Sequence, residues 1–77
     1  MITIIPKQFV EGMWIRILGL EHAGWVLIER IFSRHVPNLD NGGESLIVFK
    51  TNYGIAIHKY TSEVKYELHP EWLHLLR

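Results

Sequence analysis

Cysteine is absent from this 77-residue chain, which excludes a disulfide framework and a thiolate zinc site. A chain of this length forms a single domain, residues 1–77, and domains this small usually need a covalent or metal staple or a partner subunit. Two other means of stabilisation remain: a dense apolar core and self-association. Hydrophobic residues make up 48% of the chain and three of them are Trp, which is compatible with both.

The charges balance, with eight basic and eight acidic residues interspersed along the sequence. This balance argues against strong electrostatic attraction to phosphate backbones or anionic membranes. The first residues lack the basic region of a signal peptide. The longest apolar runs, such as Trp25–Ile28, have four residues, whereas a membrane span needs about twenty. We therefore expect a cytoplasmic protein without a membrane segment.

The second half of the chain has the pattern of an antiparallel meander. Turn-forming residues from Pro37 to Ser45 predict a long loop, extending back toward Ser33, that separates the two halves. Three β-rich segments follow at residues 46–51, 55–60 and 64–68, joined by short turns. Alternation predicts that Ile55, Ile57, Val64, Tyr66 and Leu68 point inward, with Lys65 and Glu67 outward.

The segment from His69 to Leu76 has Pro70 at a position suited to a first helical turn. The segment is too short to be stable as an isolated helix. We expect a short C-terminal helical turn whose Trp72, with Leu75 or Leu76, covers the end of the sheet.

The first half admits two interpretations. Apolar residues from Phe9 to Leu18 fall at helical spacing, so one alternative is an α+β fold with an N-terminal helical hairpin packed on the three-stranded meander. Against it, Gly12, Gly19 and Gly24 would each cost a helix interior about 1 kcal/mol relative to Ala. The segment Trp25–Ile28 is also rich in residues that lose χ1 freedom in helices. We favour strands.

Two segments carry a resemblance to a known fold. The stretch from Phe9 to Leu18, in which an aromatic residue and a turn Gly precede the strand Trp14-Ile15-Arg16-Ile17, resembles the opening of SH3-like small barrels. Gly24-Trp25-Val26 is similar to the second strand of such barrels, and residues 66–73 look like their closing segment. The resemblance implies a mostly β, SH3-like antiparallel barrel of five to six strands. It implies no functional residues, because this fold serves unrelated functions.

The sequence shows no arrangement typical of catalysis. The three serines, Ser33, Ser45 and Ser62, lie in or beside predicted turns. Asn41-Gly42-Gly43-Glu44 lacks the Lys of a phosphate-binding loop. His69 and His74 are five residues apart, which does not place them on one helical face as metal ligands. We expect no enzyme activity, no cofactor and no metal.

Exposed aromatic residues beside cations are the main functional signal. If Ile15 and Ile17 face the core, Trp14 and Arg16 share an outer face; His58 and Tyr60 share another if Ile55 and Ile57 point inward. The strands that carry Trp14 and Trp25 are apolar on both faces, so they need a second cover, supplied either by another chain or by the N-terminal segment or long loop.

The residues that we predict to bind a partner are Trp14, Arg16, Trp25, His58 and Tyr60. The predicted function is a non-enzymatic protein-interaction or assembly module that self-associates through its exposed aromatic sheet face. Two alternatives are single-stranded nucleic-acid binding, which the neutral charge disfavours, and small-ligand binding in the barrel mouth.

Overall fold

A computed structural model describes residues 2–72 of the chain. This part of the chain is mostly β and forms one antiparallel sheet of six strands in the order β1-β6-β2-β3-β4-β5. The strands are β1 Thr3–Ile4, β2 Trp14–Ile17, β3 Val26–Asn38, β4 Glu44–Thr51, β5 Gly54–Lys59 and β6 Tyr66–Leu68. Short 3₁₀ helices occupy Pro6–Gln8, Glu21–Ala23 and Leu39–Asn41. None of the helices in residues 2–72 is long and apolar enough to cross a membrane.

The strand interpretation of the first half is confirmed, and the helical hairpin is not formed. Positive φ angles at Gly12, Gly19 and Gly24 (+93°, +84° and +81°) explain why these three positions interrupt any helical pattern. Each glycine lies in a turn or irregular segment outside the strands, in a backbone conformation that other residues adopt only with strain.

Strand β3 is long and bent, and it divides the sheet into two wings. Its first residues pair with β2, where Ile15 lies opposite Val26. The rest pairs with β4 through three irregularities, between Ile28 and Val36, that are typical of β-bulges. The first wing contains β1, β6, β2 and the start of β3; the second contains the remainder of β3 with β4 and β5.

The sheet is open at both ends of its strand order. Among the described residues no ladder joins β1 to β5, so closure into a barrel is not confirmed. Residues 69–72 form one hydrogen-bonded turn in which the Trp72 N–H donates to the His69 carbonyl (3.0 Å). The rest of the predicted C-terminal helical turn, residues 73–76, lies outside the described residues and is likewise not confirmed.

The predicted loop and the predicted strand pairing of the second half of the chain are wrong. The loop comprises only residues 39–43, because β3 continues to Asn38 and β4 begins at Glu44. The third strand of the predicted meander does not pair with β5; β6 lies between β1 and β2, with Thr3 and Arg16 both opposite Glu67. Turn residues do not exclude strand geometry, and alternation alone does not identify a strand's neighbour.

The core lies between the two wings and includes the N-terminal segment. Phe9 is fully buried and its ring meets Phe49 and Tyr66 edge-on, with centroids 5.3 and 5.4 Å apart. Arg34 on β3 donates to the carbonyl oxygens of Lys7 and Phe9, which fixes this segment against the sheet. The buried hydrophobic residues are Ile4, Phe9, Met13, Ile15, Ile28, Ile47, Phe49, Tyr66 and Leu68.

Candidate binding site: the tryptophan pocket

All three tryptophans of the chain line one open cavity of about 470 Å³, which we call the tryptophan pocket. Its lining residues are Gly12, Trp14, Trp25, His69, Glu71 and Trp72. This volume lies in the range typical of ligand pockets in proteins. Three distant parts of the sequence therefore contribute to one concave surface on the first wing.

Backbone hydrogen bonds position these side chains. The His69 N–H donates to the Trp14 carbonyl (2.9 Å), so the segment after β6 runs beside the start of β2. The turn at residues 69–72 then carries Trp72 back toward Gly12, where a Cβ atom would stand 3.6 Å from the indole. Trp72 packs against the core, as predicted, and its indole nitrogen is buried without a hydrogen-bond partner among the described residues.

The three indoles border the cavity without packing on one another. Across residues 2–72, the aromatic contacts of Trp25 are with His69 (ring centroids 4.5 Å apart) and with the Arg16 guanidinium, 4.3 Å from the ring centroid. Trp14 is 41% exposed and has no ring contact within that range. Part of the aromatic surface is therefore covered by the chain itself, and the rest is accessible to a ligand.

The charges around the pocket are arranged unequally. Arg16 forms an ion pair with Glu67 (Nε to Oε1, 2.5 Å), and Glu67 is 8% exposed. Glu67 was predicted to point outward, and it is nevertheless buried in contact with the Arg16 guanidinium. The carboxylate of Glu71 is exposed and has no ion pair with any residue that the structure describes. With respect to residues 2–72, the pocket wall thus has one uncompensated negative charge.

The five predicted binding residues separate into two groups. Trp14 and Trp25 line the tryptophan pocket, and Arg16 lies beside it, over the Trp25 ring. His58 and Tyr60 lie on the other wing, where Tyr60 packs against His35 with ring centroids 4.7 Å apart. Trp14 and Tyr60 are therefore apart, whereas Arg16 and His58 both line a further cavity between the wings.

The predicted orientation of β5 is wrong. Ile55 and Ile57 are 68% and 58% exposed, while Ala56 and His58 point toward the core. The side chain of His58 stacks on Phe49, with ring centroids 6.0 Å apart, and bonds to the hydroxyl of Tyr66. Alternation separates a strand into two faces but does not show which face is buried. Here the less apolar face is buried, and His58 on that face has a hydrogen-bond partner in the Tyr66 hydroxyl.

A second, smaller cavity of about 200 Å³ opens between the wings, near His58 and Tyr66. The Tyr66 hydroxyl lies 2.5 Å from Nε2 of His58, and it donates to this nitrogen when the neutral imidazole carries its proton on Nδ1. Burial lowers the pKa of His58 and raises the pKa of Tyr66. Both shifts favour the neutral forms of the pair at neutral pH.

Sequence reasoning missed the roles of Gly12, His69 and Glu71 in the pocket. No local spacing could reveal them, because the pocket depends on β6 lying beside β2. The signal that could have indicated the site is the set of three tryptophans, since all three line it.

Comparisons with known proteins place the chain in no family: no protein-family model, curated protein or solved structure matches it. Within residues 2–72, no group of three or more His, Asp or Glu side chains could hold a metal ion. The site is therefore interpreted from its own geometry.

Proposed function

We propose that this protein is a non-enzymatic interaction module that binds a peptide segment of a partner in the tryptophan pocket. The observation that carries the proposal is the convergence of all three tryptophans on one open cavity. Trp combines a large contact area with few rotatable bonds, and it is enriched among the residues that dominate binding energy.

The proposal includes an SH3-like topology. Its support is the long bent strand β3, shared by two wings, and the arrangement of β6 beside β2. In this interpretation the wings are two halves of a barrel that narrows around the core, and the 69–72 turn leads into a short helical turn at the closing end. The tryptophan pocket lies at that end, on the outer surface of the first wing.

The test uses a display library of linear peptides selected on the purified protein. Selected peptides should change the intrinsic tryptophan emission, because every tryptophan lines the pocket. Trp14→Ala removes an exposed ring and should weaken these peptides by about tenfold or more, as for an interface hot spot. Phe32→Ala is the matched control, since Phe32 is 48% exposed and lies outside the pocket.

Two outcomes would refute peptide binding in this pocket. One is a selection that enriches no peptide above an unrelated control protein. The other is a set of peptides that bind the wild type and Trp14→Ala with equal affinity.

Self-association is the second part of the proposal, and β5 is the surface that best supports it. Among the described residues β5 pairs only with β4, so its outer edge has free backbone donors and acceptors. A second copy fits this edge in antiparallel register: a two-fold axis at Ile57 places Ile57 opposite its equivalent and Lys59 opposite Ile55. This register buries apolar side chains and keeps the two lysines apart.

A small-ligand site is the alternative that a specific observation favours. The cavity near His58 and Tyr66 is lined mainly by apolar side chains and has a hydrogen-bonding pair at its wall. An apolar molecule with one polar group would suit it. A change in the NMR chemical shifts of His58 on adding such a molecule would support this function. Unchanged His58 shifts across a fragment collection would refute it.

A further inference from the structure

We propose that the tryptophan pocket accepts a quaternary ammonium group, and that the partner peptide carries this group on a side chain. The inference rests on the proposed function, because it specifies which part of a peptide fills the pocket. Three features support it: the aromatic wall of the pocket, the Glu71 carboxylate, and the small number of hydrogen-bond acceptors among the lining side chains.

The aromatic wall attracts cations. A positive charge near an aromatic ring is stabilised by the negative face of the ring, and Trp gives the strongest such interaction. The structure contains one example, since the Arg16 guanidinium lies 4.3 Å from the Trp25 ring centroid. Within the described part of the chain, neither Trp14 nor Trp72 has a cation over its ring, and Trp14 is 41% exposed.

The electrostatic field at the pocket favours a positive ligand. Arg16 is neutralised by Glu67 at 2.5 Å, so its charge does not repel a second cation strongly. Glu71 lines the pocket, is exposed, and is not paired with any cation in residues 2–72. A ligand cation would gain the attraction of this carboxylate in addition to that of the rings.

The hydrogen-bonding groups of the lining side chains determine which type of cation the pocket favours. Nδ1 of His69 already accepts the Glu71 N–H (3.1 Å), so the neutral ring has its donor, Nε2–H, left over. Among the lining side chains, Glu71 alone offers a strong acceptor. A primary ammonium brings three N–H donors and a guanidinium five, and most would lose their water partners here. A quaternary ammonium has no N–H donor to satisfy.

The decisive experiment compares two molecules of the same shape that differ in charge. Choline chloride and 3,3-dimethyl-1-butanol are titrated into the 77-residue protein, with sodium chloride added to match ionic strength, and tryptophan emission is recorded. We expect choline to bind at least about tenfold more tightly than the neutral alcohol. Equal affinities would show a merely apolar pocket and overturn the inference.

A second pair of ligands identifies the source of the group. A short peptide with one trimethyl-lysine is compared with the same peptide containing unmodified lysine and with free choline. We expect the trimethyl-lysine peptide to bind most tightly, because the backbone adds contacts beyond the ammonium group. Binding of choline that equals or exceeds that of the peptide would assign the pocket to a free small molecule and refute the peptide source.

Protein variants separate a specific site from general quenching. Glu71→Gln should weaken choline by about threefold or more, because it removes one charge from the pocket at constant shape. Glu63→Gln is the matched control, an exposed glutamate outside the pocket. Equal effects of the two substitutions would contradict the role of Glu71.

Failure of this inference is distinguishable from failure of the proposed function. If library peptides bind in a Trp14-dependent manner while choline and the trimethyl-lysine peptide do not, peptide binding stands and the ammonium specificity is wrong. If no library peptide depends on Trp14 either, both are wrong.

Discussion

His58 is a half-buried titratable residue that makes the stability of the core depend on pH. Its ring contacts Phe9, Phe49 and Tyr66, and burial lowers its pKa below the ordinary 6.5. A protonated imidazole could not accept the Tyr66 hydroxyl at Nε2. The unfolded chain therefore binds a proton on His58 at a higher pH than the folded chain does.

The stability of the protein should consequently fall as the pH drops below about 6.5, because the unfolded state then binds more protons than the folded state. His58→Gln keeps an acceptor for Tyr66 and removes the titration. Urea unfolding at about pH 7.5 and about pH 5.5 measures the difference, and the variant should lose less stability than the wild type. The other four histidines remain in both proteins, so equal losses would exclude His58 as a cause.

At the scale of the element, the orientation of β5 can be tested by paired substitutions. Ile47 on β4 is fully buried and Ile57 on β5 is 58% exposed, and Ile47 pairs in register with His58. Ile47→Val should cost about 0.5–1.5 kcal/mol of unfolding free energy, which is typical of a buried methylene. Ile57→Val should change it by less than about 0.5 kcal/mol. Chemical denaturation of both variants measures this, and a larger loss at Ile57 would restore the inward orientation that alternation suggested.

The elements themselves were largely predictable from residue types. Glycines at positions 12, 19 and 24 favoured strands over helices in the first half, and β-branched residues indicated β4 and β5. What could not be predicted is which strands are neighbours, because that depends on contacts between distant residues. Glu67 shows the consequence: its outward orientation followed from alternation, whereas its burial between β1 and β2 and its bond to Arg16, 51 positions away in sequence, did not.

The binding site was predictable to the same degree. Trp14 and Arg16 are on β2 and Trp25 directly precedes its partner strand β3, so sequence reasoning could group the three. Trp72 was predicted to cover the end of the sheet, and its position in the pocket wall could not be predicted without the location of β6. Neither His58 nor Tyr60 joins the pocket, since the face of β5 was inverted.

At the scale of the whole molecule, the free edge at β5 predicts an association that depends on protein concentration. Ile57→Lys places a charge at the centre of the proposed two-fold contact and should convert the associated form to monomer. Val64→Lys is the control, because Val64 is 50% exposed and lies outside β5. Sedimentation velocity over a range of concentrations measures the effect. A wild type that stays monomeric throughout would refute self-association, and loss of association in both variants would refute the β5 interface.

The position of β6 also has a consequence for folding during translation. The strand that fills the gap between β1 and β2 is the last of the six to be translated. Until Leu68 has left the exit tunnel, the early strands have no neighbour there and Glu67 is not yet available to Arg16. The second wing can pair while translation continues, whereas the first wing, and the tryptophan pocket with it, must assemble after the rest.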